Sequence, residues 1–317
     1  MKNLEICYNT LDGRVNAVNG VDLSVCEGQT LGLVGETGAG KTSTALGILR
    51  LLPKKTGEMH CQEMLFDGRD LTKLPEYEMR RIRGGEIAMI FQDPMTSLNP
   101  LHTVGQQIAE VIKLHQDIPK EEVDKHVDLM MNRVNLPPGR KHEYPHQFSG
   151  GMKQRIVIAI ALACNPRLLI ADEPTTALDV TVQAQILNKI DELKQDLNTA
   201  MLLITHDLGI VAETCDHVAV MYAGEIVETG TLDDVFNNMQ HPYTVGLFNS
   251  VPNMEEKSAR LEPIRGLMPD PMDLPGGCKF HPRCPKAVER CNNEMPPVRE
   301  KTGHKVRCFF AFGGSAD

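Results

Sequence analysis

The sequence predicts an α/β fold that carries an inserted helical subdomain and a small C-terminal extension containing cysteines. Three observations support this prediction. Short apolar runs at 30–34, 168–171 and 201–204 have the length and continuous hydrophobicity of buried parallel strands. Apolar residues at three- and four-residue steps run through much of 93–167, which is typical of helices. Beyond about residue 236 prolines become dense, and four of the nine cysteines fall in this part of the chain.

The remaining elements follow from alternation and periodicity. The alternating segments 4–8 and 21–25 predict strands, and 86–91 predicts a strand with one buried face. The segment 181–197 predicts an amphipathic helix, and 218–228 predicts a hairpin around Ala223-Gly224. We therefore predict an α/β core at 1–92 and 168–235, a helical subdomain at 93–167 and an extension at 236–317.

Composition narrows the class of protein. The longest apolar run, 156–164, is much shorter than the roughly 20 residues that span a bilayer, and the N-terminus lacks the apolar core of a signal peptide. A net charge of −9, no tryptophan and 4% aromatic residues argue against a nucleic-acid partner. We expect a cytoplasmic chain, for which any membrane role would have to come through a partner.

A glycine-rich loop lies between the predicted strand 30–34 and a helix-compatible stretch, 43–52. Its spacing is G-x-x-x-x-G-K-[ST], in which backbone N–H groups and the helix N-terminus surround phosphate oxygens. Lys41 can reach the β- and γ-phosphates, and the Thr42 hydroxyl can ligate Mg²⁺. The sequence therefore predicts a nucleoside triphosphate site formed by Gly35, Glu36, Thr37, Gly38, Ala39, Gly40, Lys41, Thr42 and Ser43.

Polar side chains end three of the other predicted strands, where a doubly wound sheet opens onto its ligand. Asp172 is a candidate Mg²⁺ ligand, and Glu173 is the candidate to orient or deprotonate the attacking water. Gln92 could contact both the metal and that water, and His206 could donate a hydrogen bond to the γ-phosphate.

A second anion-binding helix start follows at 149–154. Ser149, Gly150 and Gly151 open a long apolar helix, so their N–H groups and the helix dipole attract phosphate. Because residues 35–43 already supply one phosphate site, we expect this second one to serve the nucleotide of another subunit.

The cysteines at the end of the chain indicate a metal site. A cytoplasmic protein seldom keeps disulfides, so Cys278, Cys284, Cys291 and Cys308 are better explained as metal ligands than as two bridges.

These motifs, taken in order, resemble the ATP-binding cassette (ABC) family of P-loop NTPases. Residues 35–42 resemble its Walker A loop, Gln92 its Q-loop, 149–154 its signature and 172–173 its Walker B motif with the catalytic glutamate. The resemblance extends to a D-loop at Ala177-Leu178-Asp179 and a switch histidine at His206. It implies an ATPase in which Ser149, Gly150, Gly151 and Gln154 contact a partner's ATP. The family also stacks an aromatic residue on adenine; Tyr8 is available for this, and a structural tyrosine is the alternative.

A closer resemblance covers nearly the full length. The segments 82–100, 241–244 and 277–285, with Cys291 and Cys308, resemble the D-type ATPase of bacterial oligopeptide and dipeptide importers. This resemblance implies a translocase at the cytoplasmic face of the inner membrane. Its implied partners are a homologous F-type ATPase subunit, two transmembrane permeases and an extracellular or periplasmic solute-binding protein. It also implies a [4Fe–4S] cluster on the four cysteines. A zinc site is the alternative, although gaps of five, six and sixteen residues lack the paired C-x₂₋₄-C pattern of zinc ribbons.

Other functions could use the same ATPase machinery. The importer could carry another solute, such as nickel or an opine, or the chain could be an iron–sulfur-regulated ABC ATPase outside transport. A chromosome-type cassette is disfavoured because no sustained heptads separate 42 from 149.

Overall fold

The structure is a computed structural model that describes residues 1–175, 179–250 and 264–315. The chain divides into two compact units. The first comprises Met1–Ser24, Leu31–Thr72 and Ile204–Asp317, and the second comprises Val25–Thr30 and Lys73–Leu203. The bounds of these two units differ from the predicted domain boundaries. The predicted core, helical subdomain and extension stay a prediction.

The elements alternate between strands and helices. In chain order the strands are β1 (Leu4–Asn9), β2 (Arg14–Val21), β3 (Thr30–Val34), β4 (Gly57–His60), β5 (Leu65–Phe66), β6 (Arg69–Asp70), β7 (Ile87–Ile90), β8 (Leu168–Asp172), β9 (Ala200–Ile204), β10 (His217–Tyr222), β11 (Glu225–Thr231), β12 (Val298–Lys301) and β13 (His304–Arg307). The helices are α1 (Lys41–Ile48), α2 (Glu76–Ile82), α3 (Pro94–Ser97), α4 (Val104–His115), α5 (Lys120–Arg133), α6 (Gly150–Leu162), α7 (Val180–Leu197), α8 (Leu208–Thr214), α9 (Leu232–Asn237), α10 (Pro242–Asn249) and α11 (Glu289–Asn293).

Three sheets contribute to the first unit, of which the smallest pairs β5 with β6. The antiparallel order β2-β1-β4 forms the N-terminal sheet. A second sheet runs β12-β13-β11-β10-β3, in which β10 and β3 are parallel and β10 and β11 form the predicted hairpin. Every residue of β3 is buried, as its continuous hydrophobicity predicts. The phosphate loop therefore starts from a rigid buried strand.

The predicted strand at 21–25 is wrong. The strand in this region is β2, and its pairing with β1 ends where Val21 lies opposite Leu4. Beyond Val21 the residues alternate in hydrophobicity, and Leu23 exchanges two hydrogen bonds with Met1. Leu23 N donates to Met1 O at 3.2 Å, and the Met1 amino group donates to Leu23 O at 2.8 Å, but residues 22–25 belong to no strand. Alternation marks a half-buried segment, and a strand also needs a neighbour to pair with.

The second unit carries β7, β8 and nearly all of β9, together with most of the helices. Its strand order is β9-β8-β7, and β7 pairs with β8 in parallel. The predicted helical block is confirmed as α3 to α6, and the apolar helix α6 buries residues on most of its circumference. Across the described residues, no helix has both the length and the apolar character needed to cross a bilayer.

Candidate nucleotide-binding and catalytic site

The loop from Gly35 to Gly40 connects β3 to α1 in the first unit, as the sequence predicts. Gly40 caps α1 in the left-handed region, with φ 103° and ψ 6°. A Cβ built on Gly40 would overlap the main-chain carbonyl oxygen of Ala17, and one on Gly35 would overlap that of Met221. The loop is thus packed against neighbouring backbone so closely that only glycine fits at these two positions.

Lys41 begins α1 and lies inside this loop. Its side chain is buried, and Nζ donates to the carbonyl oxygens of Gly35 at 2.7 Å and Glu36 at 3.1 Å. The ammonium group is therefore held at the centre of the curved backbone, where a phosphate would meet it. Thr42 follows on the exposed start of the helix, which suits a hydroxyl that ligates a metal ion.

Tyr8, the candidate for adenine stacking, lies on β1 and is half-buried. Its hydroxyl hydrogen-bonds to Ser43 Oγ at 3.1 Å. This contact ties the tyrosine to the first turn of α1, and its stacking role stays a prediction.

His206 follows β9 and is exposed. The next residue, Asp207, caps α8 by accepting from the N–H groups of Gly209 at 2.9 Å and Ile210 at 3.3 Å. The cap fixes the backbone on one side of the histidine and leaves the imidazole at the surface, where a phosphate could reach it.

Two catalytic candidates meet in the second unit. Gln92 lies just beyond β7, and its Nε2 donates to Glu173 Oε2 at 2.7 Å. Glu173 follows Asp172, which ends β8 and is 1% exposed. Glu173 has a φ of 47°, a backbone conformation that costs a non-glycine residue about 1–2 kcal/mol. Such strain is found preferentially at functional sites, where it holds a side chain in a required direction.

The signature residues begin α6. Ser149 is the exposed N-cap of this helix, and its side chain makes no capping hydrogen bond. A Cβ on Gly151 would lie 2.7 Å from Val182 Cγ1, so a glycine lets α6 approach α7 closely. Gln154 is 1% exposed, and neither of its side-chain amide atoms has a hydrogen-bond partner. A role for Gln154 toward a partner's nucleotide would require this end of the helix to repack.

Asp179 is the described part of the predicted D-loop; Ala177 and Leu178 lie outside the described residues. The Asp179 carboxylate caps α7 by accepting from Val182 N at 3.0 Å. Helix capping is thus sufficient to explain an aspartate at this position, and a further role of Asp179 stays a prediction.

The four cysteines lie in the first unit, within electrostatic range of one another. Burial, with smaller contributions from the other three thiols, raises the pKa of Cys278 to about 11. Burial likewise raises the pKa of Cys284 and of Cys308. Cys278 N also donates to the carbonyl oxygen of Cys291 at 2.9 Å.

These thiols do not form a ready metal site. Within residues 1–175, 179–250 and 264–315, no group of three or more His, Cys, Asp or Glu side chains is arranged to hold a metal ion. A tetrahedral zinc with bonds of about 2.3 Å would bring its sulfurs to within about 4 Å of each other. The donor set suits a thiophilic metal or an iron–sulfur cluster, but the side chains would have to move to bind one.

Sequence reasoning missed two residues that contact the phosphate loop. Arg283 forms a two-point ion pair with Glu36, and the Tyr243 hydroxyl accepts a hydrogen bond from Glu36 N. Both residues lie in segments that the sequence marks, 241–244 and 277–285, but nothing in their spacing indicates where they fold.

Known families, curated proteins and solved structures resemble this chain in sequence and fold. The sequence pattern of the ABC transporter family matches residues 18–176, and that of the oligopeptide/dipeptide transporter C-terminal region matches 227–291. The oligopeptide transport ATP-binding protein OppD of Salmonella typhimurium is 48% identical over 98% of this chain and 92% of its own length. The dipeptide transport ATP-binding protein DppD of Bacillus subtilis is also 48% identical, over 98% and 93%. Among solved structures, the dimeric post-hydrolysis ATP-binding cassette MJ0796, bound to ADP and Pi, matches 73% of this chain and 97% of its own, with a TM-score of 0.63 and 26% identity.

Proposed function

The chain belongs to the ABC transporter family as one of its ATPases, and we propose that it hydrolyses ATP to drive uptake of oligopeptides or dipeptides. The observation that carries the choice of cargo is the full-length similarity to proteins named for oligopeptide and dipeptide transport. The match of residues 227–291 to the C-terminal region of such transporters supports the same cargo. Nickel and opine import are not favoured by these relatives.

The phosphate loop binds the triphosphate. Residues 35–43 surround the phosphates with backbone N–H groups, and Lys41 neutralises part of their charge. Thr42, Gln92 and Asp172 offer hydroxyl, amide and carboxylate oxygens, the ligands that Mg²⁺ prefers. A magnesium ion held by these residues would neutralise charge on the β- and γ-phosphates.

Glu173 orients the attacking water and accepts its proton. Gln92 donates to the Glu173 carboxylate at 2.7 Å and fixes its direction. His206 donates a hydrogen bond to the γ-phosphate, so that loss of this phosphate on hydrolysis removes a contact.

A second cassette completes the motor. Ser149, Gly150 and Gly151 contact the ATP of a partner cassette, and Asp179 lies at the interface. Gln154 joins this contact when the start of α6 repacks on closure. The partner is a homologous F-type subunit, so that the pair is a heterodimer. Closure follows ATP binding because each nucleotide contacts both subunits, and hydrolysis reverses it.

The pair works at the cytoplasmic face of the membrane. Two permease subunits and a solute-binding protein are its partners, and the helical subdomain at 93–167 transmits closure to the permeases. The ATPase core then comprises 1–92 and 168–235, and the extension comprises 236–317.

Lys41→Ala tests the phosphate-loop assignment. The ammonium group makes charge-assisted contacts with phosphate, each worth about 1.5–3 kcal/mol, so we expect ATP affinity to fall at least about tenfold. Equilibrium titration of the purified full chain with a fluorescent ATP analogue measures this. Lys189→Ala is the control, because Lys189 pairs only with Glu192 in the described contacts of α7. Equal affinity of Lys41→Ala and the control would reject the assignment.

We further propose that Cys278, Cys284, Cys291 and Cys308 bind a [4Fe–4S] cluster, with zinc as the alternative. The support is the set of four sulfur donors, which lie close enough together to contribute to the raised pKa of Cys278 and of Cys284. The proposal requires the side chains to rearrange when the cluster binds.

Metal analysis distinguishes these outcomes. We expect protein purified without oxygen to contain about four iron and four sulfide per chain and to absorb in the visible. Cys291→Ser should lose both, because Cys291 is one of the buried ligands. Cys26→Ser, at an exposed cysteine, should retain them. One zinc per chain with no colour would favour the alternative, and the absence of both metals would exclude both.

A further inference from the structure

We propose that Arg283 and Tyr243, both in the C-terminal part of the chain, are positioning residues for the phosphate loop and act through Glu36. The proposal rests on the proposed assignment of residues 35–43 to ATP binding. It extends the ATP site to two motifs, at 241–244 and 277–285, that the proposed catalytic cycle does not use.

The ion pair between Arg283 and Glu36 is specific in geometry. Arg283 Nη1 donates to Glu36 Oε2 at 2.9 Å, and Nη2 donates to Oε1 at 3.1 Å. The Arg283 side chain is 6% exposed, against 28% for Glu36, so solvent screens the pair little from the arginine side. Arg283 Nε donates to the carbonyl oxygen of Arg265 at 3.0 Å, which fixes the plane of the guanidinium.

Tyr243 holds the backbone of the same residue. Its hydroxyl oxygen accepts from Glu36 N at 2.9 Å. The ring is fully buried, with its centroid 4.6 Å from that of Tyr222 and 5.4 Å from that of Phe280. The tyrosine can therefore hold Glu36 in place because it is itself fixed by packing on two sides.

A buried polar network anchors the segment that carries Tyr243. His241 Nδ1 accepts from Tyr243 N at 3.1 Å, and the fully buried Glu228 carboxylate accepts from His241 N at 2.9 Å. His304 Nε2 lies 2.8 Å from the same carboxylate. Burial lowers the pKa of His241 to about 3, so its ring stays neutral and can accept this hydrogen bond.

Glu36 is thus held at three points. Arg283 binds its carboxylate, Tyr243 its N–H, and Lys41 its carbonyl oxygen at 3.1 Å. Since Lys41 is bound to the same residue, a shift of Glu36 would move the ammonium group that meets the phosphates. The Glu36 carboxylate would also repel a bound triphosphate unless a cation neutralised it. Arg283 serves both needs, because it fixes the loop and cancels this charge.

Arg283 also links the loop to the cysteines. It ends the short 3₁₀ turn His281–Arg283 and directly precedes Cys284. Any change that disorders the cysteine segment would therefore release Glu36. The C-terminal region then acts on nucleotide affinity from within the same subunit.

The test measures ATP affinity of the full chain by equilibrium titration. Arg283→Met should weaken ATP binding about tenfold. It removes the charge-assisted contact between Arg283 and Glu36, so that the Glu36 carboxylate is no longer neutralised and repels the triphosphate. Adding Glu36→Gln to Arg283→Met should restore affinity to within about threefold of the parent, because it removes the repelling charge. A merely structural role for Arg283 would not produce this rescue.

Two further variants complete the experiment. Lys279→Met removes a cation from the same segment, where Lys279 Nζ donates to Pro275 O at 2.6 Å, and should leave ATP affinity unchanged. Tyr243→Phe keeps the ring and removes the hydroxyl, and should weaken ATP binding. If Arg283→Met behaves like Lys279→Met, or if Glu36→Gln does not rescue it, the proposal is wrong. If Lys41→Ala also leaves affinity unchanged, the phosphate-loop assignment itself fails.

Discussion

Glu173→Gln is expected to abolish steady-state ATP hydrolysis while ATP-driven pairing of the cassettes is retained. The variant's amide oxygen can still accept the hydrogen bond from Gln92, so the local geometry is kept. The amide cannot take a proton from water, and loss of a general base costs about 10²–10⁴-fold in rate. Phosphate release measures turnover, and ATP-dependent dimerisation by size-exclusion chromatography measures closure.

Glu110→Gln provides the matched control for this result. Glu110 lies on the exposed face of α4 in the same unit, so the same change of charge should leave turnover unaltered. Hydrolysis by Glu173→Gln at the rate of this control would remove Glu173 from the mechanism.

Gly40→Ala is expected to eliminate measurable ATP binding. A Cβ at this position would overlap the Ala17 carbonyl oxygen and lie 2.8 Å from Met221 Cε. Because the obstacle is main chain, relief requires the phosphate loop itself to move. The left-handed φ of 103° adds about 1–2 kcal/mol of strain. We expect ATP affinity to fall at least about 100-fold, as the displaced loop loses several phosphate contacts together.

The effect of left-handed backbone strain can be separated from that of the overlap. Gly68 also has a positive φ, of 75°, but a Cβ there would meet nothing within 4 Å. Gly68→Ala should therefore lower thermal stability modestly, with ATP affinity unchanged. Nucleotide titration and thermal unfolding of both variants check this. Normal ATP affinity in Gly40→Ala would show that the loop does not need its close packing on Ala17.

The local parts of the site could be predicted from the sequence because each is formed by residues that are consecutive in the chain. The buried strand β3, the loop and α1 follow one another directly, and the apolar run of β8 ends at Asp172. The strand expected at 21–25 failed because hydrophobic alternation does not specify a partner strand. Both Gln92 and Glu173 were expected at the edge of the sheet that opens onto the ligand, but the hydrogen bond between them, which joins residues 81 apart, was not predicted.

Long-range contacts without such a rule could not be predicted. Arg283 and Glu36 are 247 residues apart, and Tyr243 and Glu36 are 207 apart. No periodicity or spacing relates an arginine among cysteines to a glutamate in a glycine-rich loop. The side-chain arrangement of the four cysteines was likewise beyond the sequence, since spacing gives the donor types and not the positions of the sulfur atoms.

The link from Arg283 to Glu36 bears on how this protein can be shortened. A version trimmed after α9 would keep the glycine-rich loop, the strand-end carboxylates and the serine that begins α6. It would nevertheless lose the Arg283 guanidinium and the Tyr243 phenol, which hold the loop in position, and its affinity for nucleotide would fall. The C-terminal region therefore cannot be removed without cost to nucleotide binding. A minimal cassette engineered from this chain would need other residues to hold Glu36.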